Sequence, residues 1–229
     1  MTFKLGVVMD PISAITIKKD TTFAMLLAAQ ARGWELHYFE QADLYARGDE
    51  AFGRSRRLSV QDDKDSWFSF HDQRDLPLAQ LDVILMRKDP PFDMEYIYTT
   101  YLLELAEKTG VLIVNKPRGL RDANEKFFAL HFPQCGPPTL VAREPERLKS
   151  FLEEQADIVV KPLDGMGGAS VFRLQQGDPN RNVILETLTA HGRHLTMAQC
   201  YVPEVTAGDK RILLIDGEPV PYALARIPQ

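Results

Sequence analysis

Cysteine is scarce in this 229-residue chain: Cys135 and Cys200 stand far apart and without companion histidines. That spacing supports neither a zinc site nor a disulfide framework, and reduced thiols in a cytoplasmic protein are the simplest account. Long apolar runs are missing too. No stretch approaches the roughly 20 residues that a membrane span needs, and Met-Thr-Phe-Lys leads straight into a strand pattern with no signal-peptide core. Positive charge is not in excess, since 27 Lys and Arg face 32 Asp and Glu for a formal net charge of -5. No local basic stretch marks a nucleic-acid partner. There are no internal repeats and no low-complexity tract. The expectation is a soluble cytoplasmic protein, engaged with neither membrane nor nucleic acid, of one large or two small domains.

What is present reads as alternating strands and helices over the first half. Lys4–Met9 is a continuous apolar run, the pattern of a buried parallel strand, and Asp10-Pro11 ends it. Asp10 thus lies at a carboxyl strand end, the edge at which ligands bind in open α/β sheets. Asp20 has the position of an N-cap for a helix that carries Phe23, Leu26 and Leu27 and closes at Gly33. Trp34–Phe39 then completes a βαβ unit. Asp43–Phe70 shows only short strand-like pieces between charge clusters and is expected to leave the sheet. Leu81–Arg87 is another buried strand, ending in Arg87-Lys88-Asp89-Pro90-Pro91; two cations there would clamp a carboxylate, although a solvated loop is also charged. Asp93 caps a helix through Lys108, Gly110 ends it, and Val111–Val114 is the next strand.

The second half changes character near Asn115-Lys116-Pro117. Leu120–Phe132 reads as a helix with Phe127, Leu130 and Phe132 on its apolar side and Lys126 among them. A strand from Pro137 and a helix over Glu144–Gln155 follow. Then Ile158-Val-Val-Lys161 runs into Pro-Leu-Asp-Gly-Met-Gly-Gly-Ala-Ser and a second apolar pair, a strand–glycine loop–strand pattern. Gly165, Gly167 and Gly168 let backbone N–H groups approach an anion closely, and Lys161 adds a point charge that favours phosphate. No Gly-Lys-Ser/Thr closes the loop and no helix pattern follows, so neither the P-loop nor the dinucleotide fingerprint fits. Two readings stand, a phosphate cover and a plain hairpin with a flexible tip. A helix over Asn182–Ala190, a strand over Leu195–Tyr201 and a hairpin turning at Asp216-Gly217 complete an α+β module.

The order Lys126, then Lys161 before Gly-Met-Gly-Gly-Ala-Ser, then Gln199-x-Tyr201, then Asp209-x-Arg211 resembles the ATP-grasp ligases. Val-Met-Asp-Pro-Ile at 8–12, Ile-Lys-Lys-Asp at 17–20, Leu-Met-Arg-Lys-Asp-Pro-Pro-Phe-Asp at 85–93, Lys-Pro-Leu-Asp-Gly-Met-Gly-Gly-Ala-Ser at 161–170 and Leu-Ala-Arg-Ile-Pro-Gln at 224–229 resemble the bacterial glutathione synthetases, end to end. The resemblance implies an α/β N-terminal domain of parallel-sheet, pre-ATP-grasp type (1–120) that closes the substrate side. An ATP-grasp subdomain with the glycine loop (121–202) would follow, and then the start of an incomplete C-terminal subdomain with antiparallel strands (203–229).

By the same resemblance the chain is an ATP-dependent carboxylate–amine ligase that joins γ-glutamylcysteine and glycine through an acyl phosphate. Lys126 and Lys161 would reach the α- and β-phosphates, with Gly165, Gly167 and Gly168 folding over the nucleotide. Gln199, Tyr201 and Val202 would border adenine and Asp209 would take the ribose hydroxyls. Arg211 and Arg226 would act on the substrate carboxylates and the developing phosphoryl charge, and Arg87 and Lys88 would bind substrate. Each has a plain structural alternative: Lys126 and Arg211 as surface cations, Gln199 as an edge-strand polar residue, Tyr201 as core, Asp209 as a turn. The family continues past the position of Gln229 into a part that supplies Asn and acidic ligands for Mg²⁺ or Mn²⁺. A chain truncated at its C-terminus, without a metal site and inactive alone, is therefore expected, as is a homo-oligomer, by resemblance a tetramer. Another ATP-grasp ligase, such as a dipeptide ligase, and a nucleotide-binding fragment without catalysis are the alternatives.

Overall fold

β1 (Lys4–Val8) is apolar on both sides because it lies inside a sheet with packing on each face. The computed structural model describes residues 2–227, and the chain divides into two units. One runs to Glu125 and includes Asp164–Gly167; the other takes up Lys126–Leu163 and everything from Gly168.

In the first unit, α1 (Thr21–Ala31) links β1 to the parallel strand β2 (Glu35–Phe39). α1 begins where Asp20 Oδ1 accepts the Phe23 N–H at 2.7 Å and ends at Gly33, whose φ of +75° suits a residue without Cβ. Then come β3 (Leu44–Arg47), β4 (Glu50–Val60), β5 (Phe68–Pro77), β6 (Val83–Met86), α2 (Met94–Lys108), β7 (Leu112–Val114) and the short α3 (Pro117–Asp122). β2, β1, β6 and β7 run parallel in that order. The long β4 holds β2 and β3 end to end along one edge and β5 along the other, all antiparallel.

The expected excursion off the sheet over Asp43–Phe70 is thus corrected: this stretch extends the sheet. The inward positions of β4 are Ala51, Gly53, Ser55, Leu58 and Val60, so the half of the strand nearest β3 carries no apolar alternation to read. A Cβ at Gly53 would lie 2.6 Å from the Phe39 ring, which is why that position stays bare. Leu5, Val7 and Met9 turn to one face with Phe23 and Leu26 of α1, while Val8 turns to the other with Leu103 and Ala106 of α2.

The second unit has a four-stranded antiparallel sheet in the order β10–β9–β11–β8, comprising β8 (Thr139–Ala142), β9 (Asp157–Pro162), β10 (Phe172–Gln175) and β11 (Thr196–Cys200). α4 (Pro145–Gln155) and α5 (Arg181–Leu188) set Leu148, Phe151, Leu152 and Leu185 against Ile158, Val160, Leu174 and Ala198. β12 (Asp209–Ile215) and β13 (Glu218–Arg226) form a separate hairpin. It turns through Asp216 and Gly217 at φ +53° and +81°, the left-handed pair of a type I′ turn. Ile212, Leu213, Leu214, Tyr222 and Leu224 are exposed on this hairpin. Pro228 and Gln229 of the 224–229 motif lie outside the described residues.

The helix expected over Leu120–Phe132 is also corrected. α3 starts earlier, at Pro117, and stops at Asp122; a single 3₁₀ stretch, Phe127–His131, follows. Pro117 is pre-organised for a first helical turn, whereas Ala-Asn-Glu after Asp122 holds no apolar residue large enough to bury, and Phe127, Phe128 and Phe132 remain exposed. Lys126 therefore heads a 3₁₀ turn rather than lying mid-helix.

His37 of β2 is fully buried, with Nδ1 2.7 Å from Ser55 Oγ and Nε2 2.8 Å from Glu35 Oε1. Burial holds its pKa below the ordinary 6.5 despite the pull of Glu35, with Arg57 and Lys4 acting in the same sense as burial. The unfolded chain therefore binds the proton more readily than the folded one. His37's contribution to stability is complete above about pH 6.5 and is lost as pH falls from there through its folded pKa. The urea midpoint should drop on going from about pH 7 to about pH 5, and His37→Gln should flatten that acid limb.

Candidate active site

Because side chains alternate along a strand, the residues of the second unit's sheet that are not in its core share the face turned away from α4 and α5. Lys161 of β9 is registered opposite Met197 of β11, and Val159 opposite Gln199, which lies opposite Thr139 of β8 in turn. One face thus presents a lysine, an amide and a hydroxyl on an apolar ground. Lys161 Nζ donates to Gln199 Oε1 at 2.6 Å, and Gln199 Nε2 donates to Thr139 Oγ1 at 3.0 Å. The chain of bonds fixes the amide orientation, so its oxygen meets the ammonium.

Lys161 is half-buried, and its pKa is held below the usual lysine value, first by burial and then by the charge of Lys126. No carboxylate acts on it from the opposite direction. A half-buried cation under the charge of a second cation is a site that an anion would relieve. The charge of Lys126 is felt at Lys161 although 35 positions separate them in the sequence. In the connecting loop, Gly167 and Gly168 have φ of +69° and +78°, the left-handed region that glycine enters without penalty. Gly165 and Gly167 belong with the first unit, Gly168 with the second.

Tyr201 follows β11 directly, and the Arg173 guanidinium of β10 lies 3.7 Å from its ring centroid. Arg173 is itself held by Asp157 through Nε at 2.9 Å and Nη2 at 2.5 Å. Val202 is exposed at the start of the next 3₁₀ turn. Asp209 and Arg226 face each other across β12 and β13 and form a two-pronged ion pair, Nε to Oδ1 at 2.8 Å and Nη2 to Oδ2 at 2.6 Å. This pairing, with a weaker pull from Arg211, holds the Asp209 carboxyl below its usual pKa. Arg211 lies two residues from Asp209 on the same face, so the two arginines and the aspartate form one cluster.

In the first unit, Arg87 and Lys88 extend from the carboxyl end of β6. Arg87 donates to Thr22 Oγ1 at 2.9 Å and Thr21 Oγ1 at 3.1 Å, and Lys88 Nζ meets Asp10 Oδ1 at 2.9 Å. Sequence reading missed Thr139, Arg173 and Asp10's grip on Lys88. The first two emerge only from strand register, whereas Asp10's place at a strand end was visible. Among the described residues, no group of three or more His, Cys, Asp or Glu side chains is placed to hold a metal ion, so these residues do not fit a resident cation.

The sequence matches the prokaryotic glutathione synthetase N-terminal domain over residues 3–121 and the ATP-grasp domain of the same enzymes over residues 125–229. The chain belongs to the prokaryotic glutathione synthetase family. It is 62% identical to a glutathione synthetase of Yersinia pestis over 225 residues, which covers 98% of this chain and 70% of that protein. It is 61% identical to one of Pseudomonas aeruginosa over 228 residues, covering 100% of this chain and 72% of the relative. The structure resembles that of D-cycloserine synthetase DcsG with a TM-score of 0.61 over 98% of this chain and 72% of that one; at 17% identity this likeness concerns the fold. As a member of the glutathione synthetase family, the chain is an ATP-dependent ligase.

Lys161→Met should weaken ATP binding by about tenfold or more, the loss expected for one hydrogen bond to a charged group. Gln199→Glu is nearly isosteric and gives Lys161 a fixed counter-charge, so it should also weaken ATP without unfolding the unit. Calorimetric titration with a non-hydrolysable ATP analogue measures both.

Proposed function

We propose that the chain serves the ligation of γ-glutamylcysteine to glycine. The γ-phosphoryl of ATP passes to the cysteinyl carboxylate, the glycine amine attacks the acyl phosphate, and phosphate leaves, with glutathione and ADP as the other products. The observation that supports this most directly is the half-buried Lys161, bonded to Gln199 on the open face of the second unit's sheet, in a chain 62% identical to a glutathione synthetase. Reactions of this type need positioning and charge stabilisation more than covalent help.

In this reading Lys126 and Lys161 hold the α- and β-phosphates, and the loop with Gly165, Gly167 and Gly168 covers them. Gln199, Tyr201 and Val202 border the adenine. Asp209 accepts the ribose hydroxyls; its carboxylate has lone pairs to spare after the bidentate contact with Arg226. Arg211 and the unused donors of Arg226 meet carboxylate and phosphoryl oxygens, and Arg87 and Lys88 act on the substrate side. The working division is 1–120 for the substrate side, 121–202 for the nucleotide and 203–229 for the arginine-bearing start of a further subdomain. Mg²⁺ or Mn²⁺ belongs to this chemistry in our reading, but the described residues hold no cluster for it and no step is derived through it. We place the protein in the cytoplasm as a homo-oligomer, a tetramer by family resemblance. Among the described helices none is long and apolar enough to cross a membrane.

Competition calorimetry tests the substrate assignment. γ-Glutamylcysteine should bind the chain and D-alanine should not displace it; preference for D-alanine would favour a different ATP-grasp ligase and overturn the assignment. With ATP, Mg²⁺, γ-glutamylcysteine and glycine, the 229-residue chain alone should release no phosphate above background. Steady glutathione formation would refute the argument from the missing metal cluster.

A further inference from the structure

One hydroxyl of the second unit has its polarity dictated by what surrounds it. Thr139 opens β8, an edge strand, and its Oγ1 donates to the Pro137 carbonyl at 2.8 Å. A hydroxyl carries a single proton, and a carbonyl can only accept. With that proton committed to Pro137, the Thr139 oxygen faces β11 as an acceptor alone. Gln199, registered opposite Thr139, answers with Nε2 at 3.0 Å. Its other cross-strand neighbour is Val159, whose side chain has no polar atom to compete for the amide. The amide oxygen is thereby turned to Lys161 Nζ, which has donors only and meets it at 2.6 Å.

The row from the Pro137 carbonyl through Thr139 and Gln199 to Lys161 thus runs in one direction, and its two ends differ in stiffness. Lys161 ends a flexible four-carbon stem with three rotatable donors, so its ammonium can swing to another acceptor without disturbing the sheet. Thr139 is β-branched, with little freedom at χ1. The segment that leads into it is tied to β11, because the Pro138 carbonyl accepts the Cys200 N–H at 2.9 Å. Turning the amide over would set Gln199 Oε1 against an oxygen with no proton to give. The fixed determinant of the amide's polarity is therefore the threonine, and the lysine is the yielding one.

We propose that Thr139 is a positioning residue that sets purine selectivity, by holding the Gln199 amide in the polarity that admits adenine and disfavours guanine. The proposal rests on Gln199 bordering the base of the nucleotide, and the experiment separates the two claims. After its bonds to Thr139 and Lys161, Gln199 Oε1 keeps one lone pair. The oxygen is the end of the amide on the Lys161 side, the side to which the phosphates are assigned. Adenine carries an amino donor at the position where guanine carries the acceptor O6. A fixed carbonyl oxygen accepts from the first and repels the second. A glutamine free to turn would offer oxygen to one and nitrogen to the other, and would take either purine. Thr139 acts only through Gln199 and does not touch the base.

Calorimetric titration of the 229-residue chain with non-hydrolysable analogues of ATP and GTP gives the purine preference as a ratio of affinities. The wild-type chain should favour the ATP analogue by about tenfold or more, the effect of one acceptor set against another. Thr139→Val keeps the β-branch and removes the hydroxyl, and should cut that ratio several-fold, chiefly by tightening the GTP analogue. Thr139→Ser supplies the hydroxyl again and should keep the wild-type ratio. Gln199→Leu should also cut the ratio, and adding Thr139→Val to it should change the ratio no further. A merely structural threonine would lower both affinities together, so an unchanged ratio in Thr139→Val overturns the proposal and leaves the nucleotide site standing. Equal or inverted preference in the wild-type chain overturns it as well. If Gln199→Leu keeps the wild-type ratio, the glutamine does not border the base, and that contact falls with the proposal. If the wild-type chain binds neither analogue, the whole nucleotide reading falls.

Discussion

One half-buried lysine ammonium, Lys161 on the open face of the four-stranded sheet, governs the second unit. Keeping Lys161 half-buried costs solvation, and Lys126 adds to that cost. The cost is sustained because β9 is one of the two central strands of its sheet. It is hydrogen-bonded on both edges, to β10 and β11, and roots Ile158 and Val160 completely in the core beneath α4 and α5. With alternate residues locked inward, Lys161 has no freedom to turn elsewhere. The Thr139–Gln199–Lys161 bonds hold its end while leaving donors for a ligand.

The first unit manages charge in the opposite way. Its cations at the strand ends are tied to partners from neighbouring loops, Arg87 to the two threonines that open α1 and Lys88 to Asp10 after β1. Parallel topology makes this possible: β1, β2 and β6 all deliver their carboxyl ends to one edge, so loops distant in sequence meet there. Asp10, which reaches both Lys88 and the backbone of Asp89, is the pin of that edge. Burial and the nearby Asp10 charge raise the pKa of Asp89, a further sign of how closely the loops crowd together.

Much of this architecture was legible in the chain. The apolar runs of β1 and β6, the aspartate caps of α1 and α2, the glycine loop between two strands and the Asp-Gly hairpin are local signals, and local physics suffices to interpret them. Legibility failed where residues were chosen for their neighbours. Phe39 and Leu44 leave no room for a side chain at Gly53, and Ala51 and Ser55 are its inward neighbours, so β4 lacked an apolar pattern and its place in the sheet went unseen. The aromatics after Asp122 imitated a helical face, yet they stay exposed and the chain takes only a 3₁₀ turn.

The amino-acid sequence by itself determined the family, the pairing of strands across short turns, and which residue types carry charge to the site, since each depends on motifs or on neighbours a few positions apart. Tertiary structure alone decided which of those charges remain unanswered. Asp209 and Arg226 neutralise one another across a ladder, Lys88 is claimed by Asp10, and Lys161 meets the Gln199 amide instead of a carboxylate. Charge balance depends on distances between segments remote in the chain, and those distances exist only after strands have registered and alternate side chains have been driven to opposite faces.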